Sequence, residues 1–138
     1  MKLTTKGRYG LAVIVLLSKN KGQTVSLLSI SSQLGLSKIY LEQVLAVLKS
    51  HQLVQSIKGS AGGYSLKVKT DLNVYDILSV LEPNLSAQEI SETSQSALDR
   101  VLDQMVYQPL NKAVEDQLKA IMITDLSQLL NDESMYYI

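Results

Sequence analysis

Two helical patterns separated by three residues constrain this chain more than any other feature. Ser26 is placed to N-cap a short helix carrying Leu27, Ile30 and Leu34. Gly35 follows and supplies the left-handed residue that ends it. Ser37 then restarts a helix whose apolar residues Leu41, Val44, Leu45 and Leu48 recur at i, i+3, i+4 and i+7. So short a break forces the second helix across the first, the arrangement of a helix-turn-helix. The inward stripe leaves Lys38, Ile39, Glu42, Gln43, Ala46 and Lys49 facing outward, with Tyr40 at the edge. Ahead of this unit, Thr4-Thr5 precede a helical pattern from about Lys6 to Lys19, ended by a turn at Asn20-Lys-Gly22.

The chain leaves the helical period after His51, which stands at the carbonyl end of the second helix and reads as structural. Leu53–Ile57 and Tyr64–Val68 alternate as two strands around the glycine-rich stretch IKGSAGGYSL. Glycine runs also cradle phosphates in enzymes. A Walker-type loop needs lysine and a hydroxyl residue directly after its last glycine, at the start of a helix. Here Gly63 is followed by Tyr64 and a strand, and Lys58 stands before the first glycine. No G-x-G-x-x-G opens a helix either. The stretch therefore reads as the tip of a β-hairpin, and a helix-turn-helix with such a hairpin is a winged helix. The fold class expected is α+β and mostly helical.

Charge divides the chain in two. Residues 1–70 hold nine lysines and Arg8 against one acid, Glu42, a net of +9. Residues 71–138 hold three cations against twelve acids, a net of −9. The formal net charge of zero hides this split, which points the first half at a polyanion. There is no cysteine, so no disulfide and no thiolate-held zinc or iron–sulfur cluster is expected. With a single histidine and no nucleophile–base constellation, no enzyme activity is expected. The longest apolar run, Leu11–Leu17, is too short to span a bilayer, and no signal peptide is visible. A cytoplasmic protein without membrane association, cofactor or metal is the expectation.

Past Asn73, an N-cap for Val74, Ile77, Leu78 and Leu81, Pro83 stops the helix. Residues 84–95 are polar. A long apolar pattern follows on Leu98, Val101, Leu102, Met105, Val106, Leu110, Val114, Leu118 and Ile121. Pro109 inside it predicts a break or kink near Tyr107, because proline costs about 3 kcal/mol in a helix interior. A last short helix is expected over Thr124–Leu130. The division expected is a DNA-binding domain over 1–82, a linker over 83–97, dimerisation helices over 98–130 and a tail over 131–138. The stripe is too long for a lone winged helix to bury, which assigns Leu98, Val101, Leu102, Met105, Leu110, Val114, Leu118 and Ile121 to a homodimer. The opening helix is expected to pack against it.

Four segments together resemble one family: Lys2-Leu-Thr-Thr-Lys-Gly-Arg-Tyr-Gly10, Ser37-x-x-Tyr-Leu-Glu-Gln43, Leu53-Val54 and Lys58-Gly-x-x-Gly-Gly-Tyr-x-Leu66. They look like the bacterial winged-helix regulators that include IscR, NsrR and CymR, across residues 1–82 and more loosely across 105–130. The resemblance implies a homodimer on double-stranded DNA that regulates transcription, most simply as a repressor. It places base reading on Ser37, Tyr40, Glu42 and Gln43 and wing contacts on Lys58, Gly59 and Ser60. Lys6, Arg8 and Tyr9 resemble the family's phosphate-contacting start, and Lys38 and Lys49 add phosphate contacts from the second helix. Glu42 fits physically, since an acid facing DNA is costly unless it accepts from a cytosine amino group. An ion pair with Lys38 or Lys49 is its alternative. Many relatives hold a cluster on three cysteines near 84–104, which this chain lacks. The resemblance is nearest the cluster-free, cysteine-metabolism branch. The ending Tyr136-Tyr137-Ile138 resembles tails that dock in cysteine synthase; a tail packed on its own dimer, or a disordered one, is the alternative. A winged helix that binds protein rather than DNA is the rival reading of the whole.

Overall fold

The computed structural model describes residues 2–67, 71–85 and 96–136, with side chains up to Glu133. Three helices open the chain: α1 (Thr5–Lys19), α2 (Leu27–Leu34) and α3 (Lys38–Ser50). Each begins on a hydroxyl cap: Thr4 accepts from the Gly7 amide, Ser26 from Ser29 and Ser37 from Tyr40. Gly35 adopts the left-handed conformation at φ 66° and closes α2. Leu41, Val44, Leu45 and Leu48 are all buried, as their spacing predicts. They meet Val13, Ile14 and Leu17 of α1 in one core.

Strands β1 (Val54–Ile57) and β2 (Gly63–Leu66) pair antiparallel, with Val54 opposite Leu66 and Ile57 opposite Gly63. Val25, just before α2, also bridges Tyr64, with both N···O distances at 2.8 Å. This link, absent from the sequence reading, ties the hairpin to the helix-turn-helix. It explains Gly63: a Cβ there would lie 2.4 Å from the Val25 carbonyl oxygen, a backbone atom with no room to move. The unit formed by α1 to β2 is a winged helix.

Helix α4 (Val74–Leu81) starts on a capping box in which Asn73 and Asp76 each accept from the other's backbone amide. Its buried face, Val74, Ile77, Leu78 and Leu81, joins the same core. Leu81 lies beneath Gly10, whose missing side chain makes the approach possible: a Cβ there would fall 2.3 Å from Leu81 Cδ1. The expected linker lies mostly on residues outside the described ones.

The long apolar pattern forms α5 (Ala97–Leu102), a π-helical turn over Asp103–Tyr107 and α6 (Gln108–Lys119). The break or kink expected near Tyr107 takes the form of this π turn, and the helix continues through Pro109 instead of stopping. The Gln108 amide donates to the Asp103 carbonyl, one residue further back than in an α-helix. That wider turn accommodates the proline, which has no N–H and would crowd the carbonyl four residues before it. Helix α7 (Ile123–Tyr136) runs on past the expected end at Leu130. Its start is clamped to the segment before α4: Val74 N donates to Ile121 O, Ile123 N to Leu72 O, and Thr124 Oγ1 to Asp71 Oδ2 at 2.7 Å.

Helix α1 packs chiefly on α7 and α4, not on the 98–121 segment. The sequence could not assign α1 between two apolar helices, and the 71–124 clamp decides it by bringing α7 back. Among the described residues no helix is long and apolar enough to cross a membrane.

Candidate nucleic-acid interface

The outward face of α3 is chemically mixed and uncovered. Lys38, Ile39, Glu42, Gln43, Ala46 and Lys49 are all exposed. Glu42 forms no ion pair with Lys38 or Lys49. Lys49 is turned away instead, its Nζ donating to Ser56 Oγ of β1 at 2.9 Å. Ser37 uses one lone pair on its cap, which leaves its O–H free to donate. Across α3, Lys38 and Lys49 stand about 16 Å apart along the axis at 1.5 Å per residue.

Tyr40 is half-buried and meets Tyr9 of α1 edge-to-face, ring centroids 6.0 Å apart at 83°. The contact fixes the start of α1 beside the start of α3. Lys6 and Arg8 are exposed on either side of buried Gly7. Thus the opening segment and the second helix, far apart in sequence, present their polar groups together.

At the hairpin tip Lys58, Gly59 and Ser60 are exposed, and Gly59 has φ 111°. The Gly62 amide closes the turn on the Gly59 carbonyl at 3.0 Å. Leu27 of α2, Lys58 and Gly59 share the wall of a shallow recess of about 400 Å³. His51 caps α3 as expected, with Nδ1 3.0 Å from the Val47 carbonyl oxygen.

The dimerisation stripe separates into two parts. Leu98, Val101, Met105 and Leu110 are exposed, between 50% and 69%. Val106, left out of the sequence-based set, is exposed beside them at 46%. Leu102 is half-buried. Val114, Leu118 and Ile121 instead pack against this chain's own core. Lys119 strengthens that seat: it lies 5.2 Å from the Tyr75 ring centroid of α4 and 2.7 Å from Glu115. The hydrogen bond to Glu115 leads the effects that raise its pKa above the usual lysine value. Tyr137 and Ile138 lie outside the described residues, as does the Tyr136 side chain.

Two residues had no role in the sequence reading. Ile39 is 73% exposed on the outward face of α3, an unusual place for an aliphatic side chain. Glu82, counted only as one acid among twelve, is 6% exposed and is the one charged side chain buried among the described residues.

The family model described as "Rrf2: Iron-dependent Transcriptional regulator" matches residues 3–129. The HTH-type transcriptional regulator CymR of Bacillus subtilis is 36% identical over the full length of both chains. The structure of the B. subtilis CymR, "the Global Cysteine Regulator", superposes with a TM-score of 0.78 at 34% identity, covering 94% of this chain and 98% of that one. T. potens IscR gives a TM-score of 0.72 at 34% identity, covering 100% and 92%. The iron of the family description finds no thiolate in this cysteine-free chain. No three His, Asp or Glu side chains stand together to hold a metal among the described residues, so the described residues do not fit such a centre. On the match to the family model and the likeness to CymR along its whole length, the chain belongs to the Rrf2 family of transcriptional regulators.

Proposed function

We propose that the chain binds duplex DNA sequence-specifically as a homodimer and represses transcription without an iron–sulfur cluster. The observation that carries this is Glu42: the one acid against the ten cations of residues 1–70, exposed on α3 and in no ion pair among the described residues. An acid left open on a basic face is destabilising near phosphate unless a base edge satisfies it. A cytosine amino group is the donor the major groove offers for that. Gln43 beside it matches adenine, and Ser37 and Tyr40 complete the reading set. Ile39 suits the methyl group of thymine. Lys6, Arg8, Tyr9, Lys38 and Lys49 contact phosphates, which position the protein without reading sequence. The Lys58-Gly59-Ser60 tip lies along the adjoining backbone; lysine lacks arginine's bidentate fork, so the wing adds affinity more than specificity.

In this reading residues 1–82 form the DNA-binding domain and the exposed face of α5, the π turn and the start of α6 form the dimer. Two recognition helices then enter successive major grooves about 34 Å apart. The test is selection of bound sequences from a random duplex pool. The expected result is a two-fold symmetric site with half-site centres about one helical turn apart. Recovery of unenriched sequence would remove the sequence-specific reading, and an absence of any salt-dependent duplex binding besides would favour the protein-binding one.

Control of cysteine metabolism is the regulatory role we assign, supported by the likeness to CymR. A tail contact of Tyr136, Tyr137 and Ile138 with cysteine synthase belongs to the same proposal and rests on resemblance. Deleting Met135–Ile138 is expected to abolish capture of that enzyme; unchanged capture removes the tail from the account.

A further inference from the structure

We propose that Glu82 is a positioning residue for DNA binding, a buried latch that holds the cationic start of α1 in place. The inference rests on the reading that Lys6 and Arg8 contact phosphates. Glu82 follows directly on α4, and its amide still donates to Leu78 O at 2.8 Å. Its Oε1 accepts from both the Thr4 amide and the Thr4 hydroxyl, each at 2.8 Å. The same Thr4 oxygen caps α1 by accepting from Gly7 N at 3.1 Å. Carboxylate, threonine and helix start thus form one closed set of bonds.

Gly7 shows how tightly the carboxylate is seated. A Cβ at that position would lie 1.8 Å from Glu82 Oε1. The glycine opens the space that the carboxylate enters, and Lys6 and Arg8 stand exposed on either side of it. Neither forms an ion pair with Glu82, so the acid fixes their backbone without consuming their charge. Its negative charge also suits the positive end of the helix.

Burying a carboxylate is unfavourable unless it is well hydrogen-bonded, and the donors it serves sit on exposed Thr4, where water can take its place when the acceptor is lost. Leucine at position 82 would therefore keep the fold while releasing the start of α1. Free to fray, the first turn no longer holds Lys6 and Arg8 at fixed phosphate spacing. Base reading by α3 is untouched.

The test is the salt dependence of duplex binding for a set of variants, each with its thermal midpoint measured. The Lys6→Ala/Arg8→Ala pair calibrates it. Removing two phosphate contacts per protomer should make the log–log slope shallower by about 3 to 4 in the dimer. Glu82→Leu is expected to reproduce most of that change with sequence preference intact. Glu82→Gln, which keeps an Oε1 acceptor, should restore the original slope. Thr4→Ala, which removes one of the two donors and the α1 cap with it, should flatten the slope at least as much as Glu82→Leu, and it serves if Glu82→Leu does not fold. An unchanged slope in the Lys6/Arg8 pair refutes the phosphate reading itself. If that pair flattens the slope while Glu82→Leu and Thr4→Ala lower only the thermal midpoint, Glu82 is structural and the latch is wrong.

Discussion

Placing aspartate at both Val101 and Met105 is expected to turn the protein into a monomer that no longer holds its full DNA site. The two side chains are 56% and 69% exposed, so the substitutions leave the folded protomer undisturbed. In the dimer they bring four carboxylates into an apolar contact, and a buried unpaired charge costs several kcal/mol. Sedimentation should give a mass near the 15.2 kDa of one chain instead of twice that. Losing the link between two half-site readers lowers apparent affinity by about 10²- to 10⁴-fold, since the second contact no longer benefits from tethering. Binding to an isolated half-site should persist. The same pair of substitutions at Val114 and Leu118 is expected to unfold α6 from the core rather than split a dimer. A dimer that survives aspartate at both Val101 and Met105 would move the interface elsewhere.

The second large effect concerns Glu42. Glu42→Ala is expected to lose discrimination at one base pair in each half-site by about 1 to 3 kcal/mol, roughly 5- to 150-fold. Binding to random duplex should tighten at the same time, because a negative charge has left a surface lined with phosphate. These opposite movements set the prediction apart from simple damage, which weakens both. Competition between the selected site and its single-base variants measures the first change. Direct titration with random duplex measures the second. Equal weakening on every sequence would place Glu42 in a structural role.

Local rules carried the first half of the molecule. Ser26, Ser37 and Asn73 are caps because their side chains satisfy open amides, and Gly35 ends α2 because it can take a positive φ at little cost. Those effects act within one turn of chain and need no knowledge of the fold. The stripe of α3 follows for the same reason. What remained hidden depends on residues distant in sequence. The Val25–Tyr64 bridge is a single pair and leaves no period to detect. Glu82 looks like any solvated acid after a helix until Thr4 and Gly7 are brought beside it from 78 and 75 residues away.

The third part was legible but ambiguous. The apolar pattern from Leu98 to Ile121 is continuous in sequence, yet its last three members face this chain's own core and its first members face outward. Only the clamp between residues 71–74 and 121–124 separates them, by drawing the end of α6 under α4. Pro109 marked the place but not the form: a break or kink is expected near Tyr107, and the chain takes a wider π turn over Asp103–Tyr107 there. On the candidate interface the residue types on α3 were readable from its period. That Lys49 turns toward Ser56 and leaves Glu42 open was not.

In the proposed reading the cationic face built from α1, α3 and the hairpin lies along duplex DNA in two copies, and every other assigned role depends on that. Equilibrium titration of a random-sequence duplex across a series of salt concentrations tests it directly. Between about five and ten phosphates neutralised by the dimer should give a log–log slope of about −5 to −9. A slope near zero, or no association even in dilute buffer, would contradict it.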